Sequence, residues 1–305
     1  MKQWICCALA FAFASVAHAE VKPSPPPVVQ EAASTPTPVR PALFVARDAD
    51  SAIFLFGTVH LRRPGSDWGG PAAQAALAEA EELWTEMDIS TVAASDVQVL
   101  IFNTGMAPPD RPLSSWLNKA EREELAAALE SLGASPEMFE RMRPWLAAMM
   151  LSVMPMVRDG YDPDAGVDQA VTMAAGDARP RAFETAEQQI NFFANLSDEA
   201  QREFLLDTIR SATGDSVEMD EMSEAWERGD LDTLETMALD EFRVDYPELF
   251  GVLFTQRNHA WVEVLMLELD GSGVDFVAVG AAHLLGDGGL VELLRARGVS
   301  VDRVE

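Results

Sequence analysis

Two short segments, one near each end of the chain, share one pattern: a continuous apolar run of strand length that ends in Gly-x-x-His. They are residues 53–60 and residues 275–283. Continuous apolar runs of this length are typical of strands buried on both faces. In open α/β sheets, ligands bind at the carboxyl ends of such strands. The repeat therefore predicts two buried strands that bring His60 and His283 to one edge of a sheet.

The glycines of the repeat, Gly57 and Gly280, allow a sharp turn or a close approach to another group, so both are predicted to line the site. The chain has four histidines, and His18 lies in a segment that we expect to be removed. A single histidine near a strand end is commonly a structural residue. Because two of the remaining three histidines occur in the same repeat, a shared metal site or acid/base site is as well supported as a purely structural role.

Strand patterns occur at both ends of the chain and helical patterns lie between them. Residues 42–46, 52–58, 83–89 and 299–304 are predicted strands, 71–83 and 288–296 are predicted helices, and 95–269 is almost wholly helical. The sequence therefore predicts an α/β fold for residues 42–305. Its central sheet is built from amino- and carboxy-terminal strand-Gly-x-x-His-helix units, and a large helical cap is inserted at about residues 95–270.

The first 41 residues predict export. Lys2, the apolar run 5–16 and the Ala-x-Ala sequence at 17–19 are typical of a signal peptide, so we expect a periplasmic or secreted protein. Residues 20–41 hold seven prolines and predict a disordered linker. No later apolar run is long enough to span a bilayer, which argues against an integral membrane protein. Cys6 and Cys7 both lie in the leader, so no disulfide and no cysteine nucleophile is expected.

The net charge of −28 argues against nucleic acid and anionic membranes as partners, because their phosphates would repel the protein. A peptide or a small molecule as the substrate is compatible with this charge.

Two imidazoles need a third ligand to hold a divalent ion, and Glu86 is the best candidate. It lies in an apolar predicted strand, where an unpaired carboxylate is costly to bury. Strand alternation places Asp88 on the same face, so both carboxylates can reach one site. The alternative is that this face is solvated at the edge of the sheet.

Further candidates lie in the cap. Glu184 is at a strand-to-helix junction, where it is either a helix N-cap or a carboxylate that faces the site. Arg257 and Asn258 open an amphipathic helix; an inward Arg257 could orient Glu184 or Glu86 or stabilise an oxyanion, whereas a surface arginine is commoner. His259 lies roughly 200° around that helix from Arg257 at about 100° per residue, so both cannot face one site.

Seven short motifs occur in an order that resembles the TraB/GumN family, which is related to the Tiki metalloproteases and more remotely to the erythromycin esterase and ChaN group. They are residues 56–60, 84–88, 143–147, 166–168, 183–188, 256–258 and 279–284. The resemblance covers about residues 42–305. Phe183 departs from it conservatively, since leucine is more usual before the glutamate. There is no Gly-x-Ser-x-Gly, His-Glu-x-x-His or phosphate-loop motif.

The resemblance implies a metal-dependent hydrolase in which His60, His283 and Glu86 hold a divalent ion. Manganese or cobalt is favoured by the Tiki relatives, and zinc suits the same ligands. Glu184 and Arg257 become catalytic residues or residues that support the ligands.

Three functions are compatible with these residues. The leading one is an exported metal-dependent peptidase. The alternative is a non-catalytic protein that binds a metal, haem or peptide in the same pocket. The third is a metal-free protein whose histidines only fix the strand ends.

Overall fold

The computed structural model describes residues 39–65, 67–87, 94–212 and 217–304. The predicted signal peptide and most of the predicted linker lie outside this part of the chain, as does Asp88. Residues 39–41, the last three of the predicted linker, lie within the described residues. The Arg40 N–H donates to the Glu227 carbonyl oxygen at 2.7 Å, and Val39 packs against the core, so these contacts fix the chain before the first strand.

The sheet has six strands in the order β4-β3-β5-β2-β1-β6. Neighbouring strands are parallel from β4 to β2, and β1 is antiparallel to both β2 and β6. The prediction that the two chain ends form one sheet is confirmed, because β2 and β5 are adjacent and Thr58 is in register with Gly280. The strands are β1 Leu43–Arg47, β2 Ser51–Thr58, β3 Glu82–Met87, β4 Arg179–Glu184, β5 Gly273–Gly280 and β6 Ser300–Arg303.

Apolar side chains on the two faces of the sheet belong to two separate cores. Phe56 and Phe276 pack with the cap around Trp145, while Leu55 and Val277 pack on the other face against Trp261. Burial on both faces explains why β2 and β5 are continuous apolar runs rather than alternating ones.

Helices form most of the remaining chain. They are α1 Pro71–Glu79, α2 Ala94–Gly105, α3 Lys119–Ser131, α4 Pro136–Glu140, α5 Pro144–Arg158, α6 Val167–Ala174, α7 Ala186–Ala194, α8 Asp198–Ser211, α9 Val217–Arg228, α10 Leu231–Glu235, α11 Glu241–Asp245, α12 Pro247–Phe250, α13 Gln256–Leu269 and α14 Leu290–Ala296. The predicted helix 71–83 ends four residues early, because Ala80 is extended and β3 begins at Glu82. The capping box that opens α3 is confirmed, since Asn118 and Glu121 exchange side-chain to backbone hydrogen bonds.

Two segments of the cap are π-helical rather than α-helical. The first π turn is Thr236–Asp240, between α10 and α11, and the second is Gly251–Thr255, between α12 and α13. A π turn fits an extra residue into a helix and occurs frequently at functional sites. The helices that carry them cross the carboxyl end of the parallel strands, as the cavity lined by both turns shows.

Within the described residues, no helix has the length and apolar character needed to cross a membrane.

Candidate functional site

The carboxyl ends of the parallel strands surround a cavity of ≈ 40 Å³. His60 follows β2, Glu86 lies near the end of β3, and His283 follows β5 in a 3₁₀ turn. Arg257, in α13, also lines the cavity. Glu184, the last residue of β4, accepts a hydrogen bond from the Arg257 Nε–H. The structure thus brings the predicted residues to one edge of the sheet.

Gly280 lies at the centre of this group and leaves space for it. A Cβ atom on Gly280 would be 3.1 Å from Glu86 Oε1, 3.7 Å from His283 Cδ2 and 3.8 Å from His60 Nε2. Its backbone N–H donates to Glu86 Oε1 at 2.8 Å. A side chain at this position would therefore crowd the carboxylate that the backbone now binds, while both histidine rings lie around the same point.

At Gly57, the close approach of another turn leaves no space for a side chain. A Cβ atom there would be 3.0 Å from both Cα and Cβ of Ala281, which belongs to the turn that carries His283. The two strand-end turns therefore pack directly against each other. The Trp226 Nε1–H donates to the Gly57 carbonyl oxygen at 2.8 Å and fixes this turn from the cap.

Arg257 is the buried cation of the site, with 4% of its surface exposed. Its Nε–H donates to Glu184 Oε1 at 2.8 Å, and Nη2–H groups donate to Glu184 Oε2 at 2.9 Å and to Glu86 Oε2 at 2.6 Å. The Nη1–H groups face the Leu253 carbonyl oxygen and His283 Nε2, both at 3.1 Å. Since a guanidinium has five N–H donors, every donor of Arg257 has an acceptor.

Arg257 keeps its charge in this environment. Burial alone would lower its pKa, but the charges of Glu86 and Glu184 and the hydrogen bonds to them raise the pKa above the usual arginine value. The guanidinium carbon lies 4.7 Å from the Trp261 ring centroid, which adds a cation–π contact.

Glu184 faces the site and is not a helix cap. The N-cap of α7 is Thr185, whose side chain accepts from the Gln188 N–H. The Glu184 carboxylate also accepts from Trp261 Nε1 at 3.0 Å and from Gln189 Nε2 at 3.1 Å. With two further bonds from Arg257, its lone pairs are occupied by donors that hold it in place.

Glu86 is buried rather than solvated at a sheet edge, so the solvated alternative is wrong. Burial by itself would raise the pKa of its carboxyl. The positive charge of Arg257, with smaller contributions from His283, His60 and the Gly280 N–H, outweighs burial and lowers the pKa to about 2. Glu86 is therefore ionised at neutral pH.

His283 is neutral at neutral pH, because burial and the charge of Arg257 lower its pKa to about 3. Its Nδ1 lies 2.5 Å from Asn258 Oδ1, and Asn258 Nδ2 donates to the Gly288 carbonyl oxygen at 2.8 Å. The second contact fixes the orientation of the amide, so Nδ1 carries the proton and donates to Oδ1. Nε2 then presents its lone pair to Arg257 Nη1.

His60 is held by Asp168, a residue to which the sequence assigned no role. His60 Nδ1 lies 2.7 Å from Asp168 Oδ2, and the Thr58 hydroxyl donates to Asp168 Oδ1 at 2.5 Å. Burial lowers the pKa of His60, but the charge and hydrogen bond of Asp168 outweigh it and the net direction is upward. This pairing leaves Nε2 on the side of Gly280.

The cap fixes the His60 loop through backbone contacts as well. The Val167 N–H donates to the Val59 carbonyl oxygen at 2.8 Å, and the Asp162 N–H donates to the Arg62 carbonyl oxygen at 2.9 Å. A Cβ atom on Gly166 would be 2.6 Å from the His60 carbonyl oxygen. This contact explains why residue 166 is glycine, and the Gly-Val-Asp motif at 166–168 is the signal that could have identified Asp168.

Two predicted residues stand apart from this group. Asp88 lies outside the described residues. His259 is on the exposed face of α13, in agreement with the prediction that it cannot share the site with Arg257.

The donor set suits a divalent ion chemically. His60 and His283 each have Nδ1 bound to an acceptor, as metal-binding histidines usually have, and Glu86 is ionised beside them. Within the described residues, however, no three His, Asp or Glu side chains converge in a metal-binding arrangement. Arg257 lies among these groups and contacts both His283 Nε2 and Glu86 Oε2. An ion and the guanidinium would compete for these two donors.

The fold and the site define a mixed α/β protein whose parallel strands end at a buried, arginine-centred cluster of carboxylates and imidazoles. Residues 42–303 match the model of the TraB/PrgY/gumN family, so the chain belongs to this family, as its motifs predict. The uncharacterized protein YbaP of Escherichia coli (strain K12) is 26% identical over 260 residues, which cover 84% of this chain and 92% of YbaP. The Shigella flexneri protein of the same name matches with the same identity and coverage. No solved structure matches the chain significantly.

Proposed function

We propose that this protein is an exported metal-dependent hydrolase, most simply a peptidase, whose divalent ion is held by His60, His283 and Glu86. One observation carries the proposal: two imidazoles with acceptor-bound Nδ1 atoms and an ionised carboxylate surround Gly280 at the carboxyl edge of the sheet. When bound, such an ion activates a water molecule and polarises a carbonyl group.

The charge of the cluster supports a cation. Glu86 and Glu184 are two carboxylates around one guanidinium, Asp168 pairs with His60, and His283 is neutral at neutral pH. The excess of negative charge in a buried cavity favours an additional positive ion. Manganese or cobalt remains the expectation from the family resemblance.

The chain's own residues would divide the remaining work. Peptide hydrolysis adds water across a C–N bond, so the water oxygen bonds to the carbonyl carbon and a proton reaches the leaving nitrogen. His60 Nε2 and Glu86 Oε1 lie beside Gly280 in the cavity, where they would bind the ion, and the proton that leaves the attacking water passes to the leaving nitrogen. Arg257 and Glu184, expected to be catalytic, are better suited to positioning Glu86, because their donors and acceptors are already used.

The first test is metal binding. Purified protein would be stripped of metal with EDTA and titrated with Mn²⁺, Co²⁺ and Zn²⁺. Calorimetry would measure binding, and elemental analysis would measure the metal content. We expect one ion per chain in the wild type and loss of stoichiometric binding in His60→Ala, His283→Ala and Glu86→Gln, since each removes one of three ligands. His259→Ala is the matched control and should bind normally.

The second test is turnover. Metal-loaded protein would be incubated with a peptide library, with and without EDTA, and the products identified by mass spectrometry. EDTA-sensitive cleavage supports the proposal. Binding of one ion without cleavage would instead favour a non-catalytic metal- or peptide-binding protein, and the ≈ 40 Å³ cavity leaves little room for a haem.

The third function, a metal-free protein, is favoured by one specific observation: Arg257 already occupies His283 Nε2 and Glu86 Oε2. A metal-free protein predicts the opposite result in the metal-binding test. The wild type would bind no ion, and the histidine variants would lose stability alone.

A further inference from the structure

The cavity has a charged floor and an apolar wall. Its charged and titratable groups, which are His60, Glu86, Arg257 and His283, lie together on the side of the strand ends. Ala238, Leu253 and Phe254 face them from the cap. A substrate group that enters the cavity must therefore contact both surfaces.

The apolar wall comes from the two π turns. Ala238 lies in Thr236–Asp240, and Leu253 and Phe254 lie in Gly251–Thr255. These are the π turns of the described residues, and both line the same cavity. Because π turns displace side chains from their α-helical positions and concentrate at functional sites, this wall is a specialised part of the helical cap.

The space that the wall leaves is small. The cavity volume is ≈ 40 Å³, and a single water needs about 10–15 Å³ on this scale. There is room for about three groups of water size, so once the ion and its water are bound the cavity admits a carbonyl group with no more than a small substituent. A leucine or phenylalanine side chain is larger than this space.

The floor disfavours acidic substituents. The carboxylate of the cavity, Glu86, would repel a second one, and Arg257 has no N–H group without an acceptor. A negatively charged side chain entering here would lose its hydration, and its only partner would be the proposed ion, whose open position the reacting carbonyl group needs.

We infer that the π-turn wall sets the specificity of the site, so that the substrate residue beside the cleaved bond is small and uncharged: glycine, alanine or serine. The inference rests on the proposed peptidase function and names its substrate class. Leu253 is the wall residue to test, because it lines the cavity and its bond to Arg257 uses the backbone carbonyl oxygen, which a substitution retains.

Leu253→Ala tests this directly. It enlarges the cavity but retains the carbonyl oxygen that accepts from Arg257 Nη1. Metal-loaded protein would be given two otherwise identical peptide sets, with alanine or leucine beside the cleaved bond. We expect the wild type to cleave the alanine peptides at least about tenfold faster by kcat/KM, and Leu253→Ala to reduce that preference about tenfold, the usual scale for a few methylene groups in a pocket.

Two further variants complete the design. Leu267→Ala is the control, because Leu267 lies in α13 with 69% of its surface exposed and should leave the preference unchanged. Ala238→Leu fills the cavity and should slow cleavage of the alanine peptides at least about tenfold while one ion still binds. Leu253→Val replaces Leu253→Ala if thermal unfolding shows that the latter is not folded.

Two kinds of outcome would overturn the inference, and they differ in what they imply for the peptidase function. A wild type that cleaves alanine and leucine peptides equally well, or a Leu253 variant that is folded and keeps the wild-type preference, overturns the inference and leaves the peptidase function standing. Absence of cleavage across the whole library by metal-loaded wild type overturns the peptidase function and the inference with it.

Discussion

The two ends of the same parallel strands hold carboxyl groups in opposite states. At the carboxyl end of β3, the pKa of Glu86 is lowered to about 2 although the side chain is buried. At the amino ends of β3 and β5, Glu82 is in register with Asp275, and the pKa of Asp275 is raised to about 6. Burial raises it, and Glu268, Glu82 and Glu81 add to the effect against a smaller opposing contribution from Arg181.

The difference lies in where the arginine is. Arg257 is buried and directly contacts Glu86. Arg179 and Arg181 extend into solvent and contact Glu82 rather than Asp275. Low-dielectric surroundings strengthen whichever charge lies next to a carboxyl group. The carboxylates at the site end of the sheet thus depend on the charge of Arg257. At the opposite end, Asp275 and its neighbouring carboxylates repel one another near the surface, without a cation of the described residues in contact with Asp275.

The largest expected effect comes from removing that cation. Arg257→Met leaves Glu86 and Glu184 buried without their partner, so we expect the free energy of unfolding to fall by about 3–5 kcal/mol. Urea unfolding of the metal-free protein at pH 7 measures it. Arg181→Met at the other end is the control and should cost less than about 1 kcal/mol. Similar losses in both variants would show that burial of the arginine does not matter.

The second effect is acid sensitivity of the metal-free protein. The folded pKa of His283 is about 3, so between pH 6.5 and 3 the unfolded chain binds a proton that the folded chain does not. Glu86 acts in the same direction from pH 4.3 down to its folded pKa of about 2. The stability contributed by these two groups should fall on acidification from pH 6.5, by about 2 kcal/mol or more, and Asp275 should offset part of this fall below about pH 6.

His283→Gln separates the two contributions, because glutamine is neutral throughout. Urea midpoints measured from pH 7 to pH 4.5 should lose much of their slope in this variant. An unchanged slope would assign the acid sensitivity to other groups.

The third effect has the opposite sign. Because the folded pKa of Asp275 is raised, the folded chain holds a proton that the unfolded chain releases between pH 3.9 and about 6. Asp275 therefore costs stability above pH 6. After allowance for its partial exposure, Asp275→Asn should stabilise the protein by about 1 kcal/mol at pH 8 and have no effect at pH 3.5. A destabilised variant at pH 8 would mean that the carboxylate has a favourable partner.

The smallest effect concerns the exposed ion pair at the amino end. Arg179→Ala removes a contact to Glu82 in which the arginine side chain is 72% exposed, so the change should stay within about 0.5 kcal/mol and vanish in high salt. A loss of several kcal/mol would indicate that this end also depends on its cation.

Prediction from the sequence succeeded where the signal was local. The apolar runs of β2 and β5, the Asn118 capping box and the helical character of the insertion were all apparent from residues close together in the chain. Errors occurred at element ends, as in α1, where the beginning of the next strand decides the boundary. The sequence left open whether Arg257 faces inward to Glu86 and Glu184, the motif at 166–168 did not show that Asp168 pairs with His60, and the two π turns had no local signal.

The sequence by itself determined that two Gly-x-x-His units end buried strands, because periodicity and glycine placement act over a few residues. Only the tertiary structure decided that Arg257 contacts Glu86, which is 171 positions away in the chain. It also decided that Asp168 pairs with His60 and accepts from Thr58, which is 110 positions away from Asp168. Such contacts depend on how the cap closes over the sheet, and burial then fixes each charge state. Local pattern sets the strands, whereas long-range packing sets the chemistry at their ends.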